Sequence, residues 1–81
     1  MVKILFDEKF KRSLEKLNNV LKERIWKQIK KIMDSPKVGK PMMYGRTGTR
    51  ELYIKPFRLS YRYIEEKDIV EILEIYHKKN Q

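Results

Sequence analysis

The 81-residue sequence has no cysteine, one histidine, one tryptophan, three glycines and three prolines. Without cysteine there are no disulfides and no thiolate metal sites, as expected of a cytoplasmic protein. No apolar run reaches the roughly 20 residues that a membrane helix needs, and no signal-peptide pattern is expected before Phe6. Acidic residues are also short in supply: 11 Asp and Glu face 20 Lys and Arg, for a formal net charge of +9 and a pI ≈ 9.9. The excess is not a basic tail, because residues 1–37 carry 11 basic and 5 acidic side chains and residues 38–81 carry 9 and 6. A Lys- and Glu-rich surface accounts for a high charged fraction but not for its sign. One sign of charge spread over the chain implies an anionic partner, either a nucleic acid or an acidic protein. The length sets one small domain over residues 1–81 with a thin core.

What is present is patterned. Val2, Ile4 and Phe6 alternate with Lys3 and Leu5, which predicts a short first strand. Asp7 can cap a helix whose apolar positions Phe10, Leu14 and Leu17 recur at helical spacing. Asn18-Asn19 breaks that run and can cap the next. Leu21, Ile25, Ile29, Ile32 and Met33 form one stripe of an amphipathic helix over about Val20 to Asp34, with Trp26 at its flank and Pro36 preventing continuation. Pro36 to Thr49 holds all three glycines and reads as a loop, in which Met42-Met43 fills core gaps.

The stretch Arg50 to Tyr63 then alternates. Leu52, Ile54, Phe57, Leu59, Tyr61 and Tyr63 fall on one face; Glu51, Tyr53, Lys55, Arg58, Ser60 and Arg62 fall on the other. This predicts two antiparallel strands, Arg50–Lys55 and Phe57–Ile64, turning at Lys55-Pro56-Phe57. Glu65 to Asp68 is a polar turn. Ile69 to Tyr76 is the last strand, with Ile69, Leu73 and Ile75 expected inward and Glu74 and Tyr76 outward. The expected fold is α+β: an N-terminal strand, an antiparallel helical hairpin and a three-stranded antiparallel meander, with the helices packed on one sheet face. The other face stays open, cationic and aromatic, which suits a phosphodiester backbone.

On that open face Lys55, Arg58 and Lys78 come from three successive strands, with His77 beside Lys78 and with Arg46 and Arg50 approaching from the loop. Lys, Arg and one His, with no metal-ligand set, suit metal-free RNA cleavage by the RNA's own 2′-hydroxyl. Cations stabilise the phosphorane, a base takes the hydroxyl proton, and an acid protonates the leaving 5′-oxygen. Taken alone, a histidine or a lysine pair near a chain end is an ordinary solvated residue. Arg58 and Arg62 could equally pair with Glu51 and Glu74 across the sheet.

The chain resembles the RelE/ParE superfamily of toxin–antitoxin toxins over nearly its whole length. The resemblance is carried by D-S-P at Asp34–Pro36, G-K-P-M-M-Y-G at Gly39–Gly45, F-R-L-S-Y at Phe57–Tyr61 and I-Y-H-K-K at Ile75–Lys79. It implies a RelE-like fold and a ribosome-dependent mRNA endonuclease that inhibits translation without a cofactor. Its partners would be the ribosome, mRNA and a cognate acidic or amphipathic antitoxin, and the free toxin would be a monomer. By the same resemblance Lys55, Arg58, His77 and Lys78 are the catalytic candidates, with His77 matching the terminal-strand histidine that YoeB-like members use as general acid. Arg46, Arg50, Tyr53, Arg62 and Lys79 are the RNA-binding candidates. RelE-like members carry a second basic residue where this chain has Tyr53, and YoeB-like members a loop glutamate where it has Met42. These departures leave open a ParE-like reading, in which the same scaffold inhibits DNA gyrase without cutting RNA.

Overall fold

The alternation over Lys3–Phe6 forms β1 in a computed structural model that describes residues 2–77, with Arg46 by its backbone alone. Lys78 and Lys79, two of the expected site residues, lie outside the described residues. Asp7 does cap α1 (Glu8–Glu15): its carboxylate accepts from the Lys9 N–H at 2.8 Å. The helix proper ends at Glu15, two residues before Leu17, and a tighter turn carries the chain on through hydrogen bonds from Lys16 and Leu17 N–H to the Ser13 and Leu14 carbonyls. The Asn18 side chain then accepts from the Leu21 N–H at 2.9 Å and starts α2 (Asn19–Asp34).

The stretch 36–49 is not loop throughout. Lys40–Pro41 forms a two-residue strand, β2, and Tyr44–Arg46 a single 3₁₀ turn. Two residues have no period to read, so β2 left no trace in the hydrophobic pattern. β3 (Arg50–Ile54), β4 (Phe57–Ile64) and β5 (Ile69–His77) form the expected antiparallel meander, with the expected turn at Lys55-Pro56. The sheet order is β1-β5-β4-β3-β2, with β1 running parallel to β5 and the remaining pairs antiparallel. The helical segment between β1 and β2 therefore carries the chain from one edge of the sheet to the other.

Both helices cover one sheet face. Phe10 of α1 and Ile25, Ile29 and Ile32 of α2 pack on Ile54, Leu59, Tyr61, Val70, Ile72 and Ile75, all buried. Each such aliphatic side chain contributes about 1.5–3 kcal/mol on leaving water. Trp26 keeps 42% of its surface exposed and packs edge-on against Phe6 and Phe10, the flanking place its sequence position suggested.

The last strand corrects the inward set. Val70 and Ile72 are buried with Ile75, whereas Ile69 and Leu73 are only half-buried. The cause is a bulge: Tyr61 pairs with Ile72 and Ser60 with Glu74, so Leu73 is an extra residue. Side chains point to alternate faces only while the ladder is unbroken, and one extra residue reverses the parity beyond it.

Candidate functional site

The two-residue turn at Lys55-Pro56 sets the register of β3 against β4, and the bulge sets that of β5. Together they align Tyr53, Arg58 and Tyr76 in one row across the sheet, and Lys40, Glu51, Ser60 and Glu74 in the next. Both rows lie on the face the helices leave open. At their centre is Glu51, only 5% exposed. Its carboxylate accepts hydrogen bonds from the Tyr76 hydroxyl and, at 3.3 Å, from Arg58 Nη1. A carboxylate withdrawn this far from water requires such partners, and a charge-assisted bond from a guanidinium is among the strongest it can find. Arg58 is held in turn, with 27% of its side chain exposed. Its Nε–H is buried and has no hydrogen-bond partner among the described residues.

Of the expected site residues, Arg58 and Tyr53 share the open face. Lys55 is exposed in the turn beside their row. Arg62 lies on the same face but pairs at 3.3 Å with Glu71, its cross-strand neighbour, and not with Glu74. Arg46 lies in the turn Tyr44–Arg46.

Two placements differ from expectation. Arg50 pairs with Tyr61 and so faces the helix side, where its Nη1 donates to the Lys37 and Gly39 carbonyls at 3.1 and 2.8 Å. There it clamps the loop and does not project toward a ligand on the open face. His77 pairs with Phe57, and their rings meet edge to face at 5.6 Å. It stands at the same end of the sheet as Arg58 and Lys55 but on the helix side, near Ser13, Lys16 and Leu17. Beyond the bulge, odd-numbered residues of β5 point inward, so the open face receives Tyr76 and not His77.

The clamp by Arg50 belongs to a second cluster, around Tyr61. The Tyr61 hydroxyl donates to the Pro36 carbonyl and accepts from the Gly39 N–H, both at 2.8 Å. A side chain at Gly39 would place its Cβ 2.6 Å from that hydroxyl oxygen, so glycine is required by close approach. Burial pushes the Tyr61 hydroxyl pKa up, opposed by the Gly39 hydrogen bond and the Arg50 charge. This cluster ties the 36–39 segment to β4 and thereby positions β2 and Lys40 beside Glu51.

Tyr76 and Lys40 were not singled out for the site from sequence, and Glu51 was read only as a possible cross-strand partner of Arg58, the pairing that the structure shows. Tyr76 was read as outward but as a packing residue, and a two-residue β2 gives Lys40 no periodic signal. Among the described residues no group of three His, Asp or Glu side chains could hold a metal ion.

The family model described as ParE toxin of type II toxin–antitoxin system, parDE, matches residues 4–81. Three solved structures show the same fold. The chain is 22% identical to a chain of the intact E. coli RelBE toxin–antitoxin complex, covering 95% of this chain and 96% of that one with a TM-score of 0.82. For the toxin–antitoxin complex RelBE2 from Mycobacterium tuberculosis the values are 26%, 95%, 98% and 0.84. For the YoeB/ParE toxin from Agrobacterium tumefaciens they are 15%, 94%, 98% and 0.83. No curated protein sequence gives a significant match.

Proposed function

Since the chain belongs to the ParE toxin family of type II toxin–antitoxin systems, within the RelE/ParE superfamily, we propose that it stops translation by cutting ribosome-bound mRNA through the RNA's own 2′-hydroxyl. A cognate antitoxin holds it inactive, as the antitoxin-bound relatives suggest. The observation that carries this reading is Arg58: a half-buried guanidinium on the sheet face that the helices leave open, with Tyr76 opposite it across the ladder.

In this reading Arg58 holds the scissile phosphate and stabilises the charge that builds on the phosphorane. Lys55, at the turn, assists removal of the 2′-hydroxyl proton. The 5′-oxygen leaves with a proton from the Tyr76 hydroxyl, which shares Arg58's face and turns from Glu51, its acceptor in this structure, to the leaving oxygen. His77, one residue on, reaches the same phosphate only if the RNA wraps the end of the sheet. Glu51 holds both Arg58 and Tyr76 in place.

Ribosome-dependent cleavage of a defined mRNA tests these roles. Arg58→Lys keeps a cation beside Glu51 but loses the planar fork, and should lower the cleavage rate at least about tenfold. Tyr76→Phe should lower it about a hundredfold, in the range of a lost proton donor, with His77→Ala nearly neutral. The reverse pattern would return the acid's role to His77. Intact mRNA with every variant and with the native protein would defeat the proposal.

A second reading has its own support. The matching family model is the ParE one, and His77 faces away from Arg58. In it the chain inhibits DNA gyrase without cutting RNA. Supercoiling blocked at toxin concentrations that leave mRNA intact would select it.

A further inference from the structure

Resting on the RNA reading above, we propose that the groove between the open sheet face and the Met42–Tyr44 segment takes one unpaired base of a single-stranded RNA. Tyr44 and Tyr53 supply the stacking rings, and Lys40 and Arg58 hold the adjoining phosphate.

Two shallow depressions, about 380 and 260 Å³, adjoin here and share Lys40, Met42 and Arg58. Tyr53 closes one of them, and Met43 and Tyr44 close the other. These three flanking side chains are 54%, 69% and 89% exposed, so the core uses none of them fully. Large apolar groups gathered on a wet surface mark a binding site more often than chance exposure does.

Tyr44 adds an independent sign. Its φ is +60°, a left-handed conformation costly for an aromatic residue. The turn holds it there: the Thr47 N–H and hydroxyl both donate to the Tyr44 carbonyl, at 3.1 and 2.6 Å. The same turn leaves the ring 89% exposed and so presents it to a ligand.

The chemistry favours RNA over a peptide. An apolar peptide anchor gains most in a deep, closely packed, desolvated pocket. These depressions are open and rimmed by flat rings, and both are lined by Lys40 and Arg58, with Glu51, already paired with Arg58, the one acidic lining residue. A base needs only one ring face, and its own phosphate supplies the anion that the Lys40 ammonium and the Arg58 guanidinium attract.

The test is fluorescence anisotropy of the full-length protein with a short labelled single-stranded oligoribonucleotide, and with versions carrying one abasic site at each position in turn. One abasic position should weaken binding about 5- to 150-fold, the stacking contribution of one base. Tyr44→Ala and Tyr53→Ala should each weaken the intact oligonucleotide by a similar factor and make that position indifferent to base loss. Tyr53→Phe, which keeps a ring, should behave as the native protein. Both side chains lie outside the core, so these changes leave the fold in place.

If every abasic version binds as well as the intact oligonucleotide, the subsite is wrong while RNA binding itself stands. If no RNA binds and ribosome-dependent cleavage is also absent, the parent reading fails and the subsite with it. If both alanine variants keep full RNA affinity but lose antitoxin affinity, the groove is a peptide site and the proposal is overturned.

Discussion

Tyr61 shows how one side chain can do two jobs in a small domain. Its ring fills the core and its hydroxyl satisfies a donor and an acceptor of the 36–39 segment. Tyr61→Phe strands the Gly39 N–H and the Pro36 carbonyl, and should cost about 1–3 kcal/mol in urea unfolding at neutral pH. The cost has a pH signature. Burial raises the folded-state pKa of this hydroxyl above the ordinary tyrosine value of 10.0, so the folded protein holds the proton more tightly than the unfolded chain. The stabilisation is complete below pH 10 and is lost as pH rises through the folded pKa. The gap between native and Tyr61→Phe unfolding midpoints should therefore stay constant to about pH 9 and narrow above 10. A gap that widens there would contradict the assignment. Gly39→Ala pushes a methyl group into the same hydroxyl and should destabilise by about 1–3 kcal/mol, the usual range for overpacking.

At the scale of elements, the caps are the most direct link between sequence and structure. Asn18→Ala removes the acceptor for the Leu21 N–H and should lower stability by about 1 kcal/mol, read as a shift in denaturation midpoint; Asn18→Asp should retain most of it. Elements with a full period were legible in the sequence: the Ile25, Ile29 and Ile32 stripe, the alternation through β3 and β4, and the turn at Lys55-Pro56. Three things were not. The parallel pairing of β1 with β5 is a long-range contact, and no local period encodes it. β2 is too short to alternate. The bulge at Leu73 carries no composition signal, since leucine suits a regular strand equally well. That gap misplaced the first half of β5, where Val70 and Ile72 and not Ile69 face inward, while the outward reading of Glu74 and Tyr76 beyond it held. Arg58 and Tyr53 could likewise be placed on the open face by counting from the turn, and the same alternation, carried one residue past Tyr76, puts His77 on the helix side.

Over the whole molecule, positive charge is not confined to the groove. With +9 overall, long-range attraction brings polyanions to every side of the surface, and local geometry decides where they dock. If Lys40, Lys55 and Arg58 are the phosphate partners, log K for single-stranded RNA should fall against log salt with a slope of roughly −2. A much steeper slope would mean that the helical face also engages the strand. The bulge has a further consequence for how the two halves of the sheet stay aligned. Sliding β5 by one residue to absorb Leu73 would put Glu74 opposite Leu59, inside the apolar layer, and Ile75 opposite Arg58. A carboxylate would be stranded among hydrocarbon side chains, and Glu51 would lose its phenol. The misaligned sheet is excluded by solvation alone, so the oily interior acts as proofreader for the polar groups on the far side.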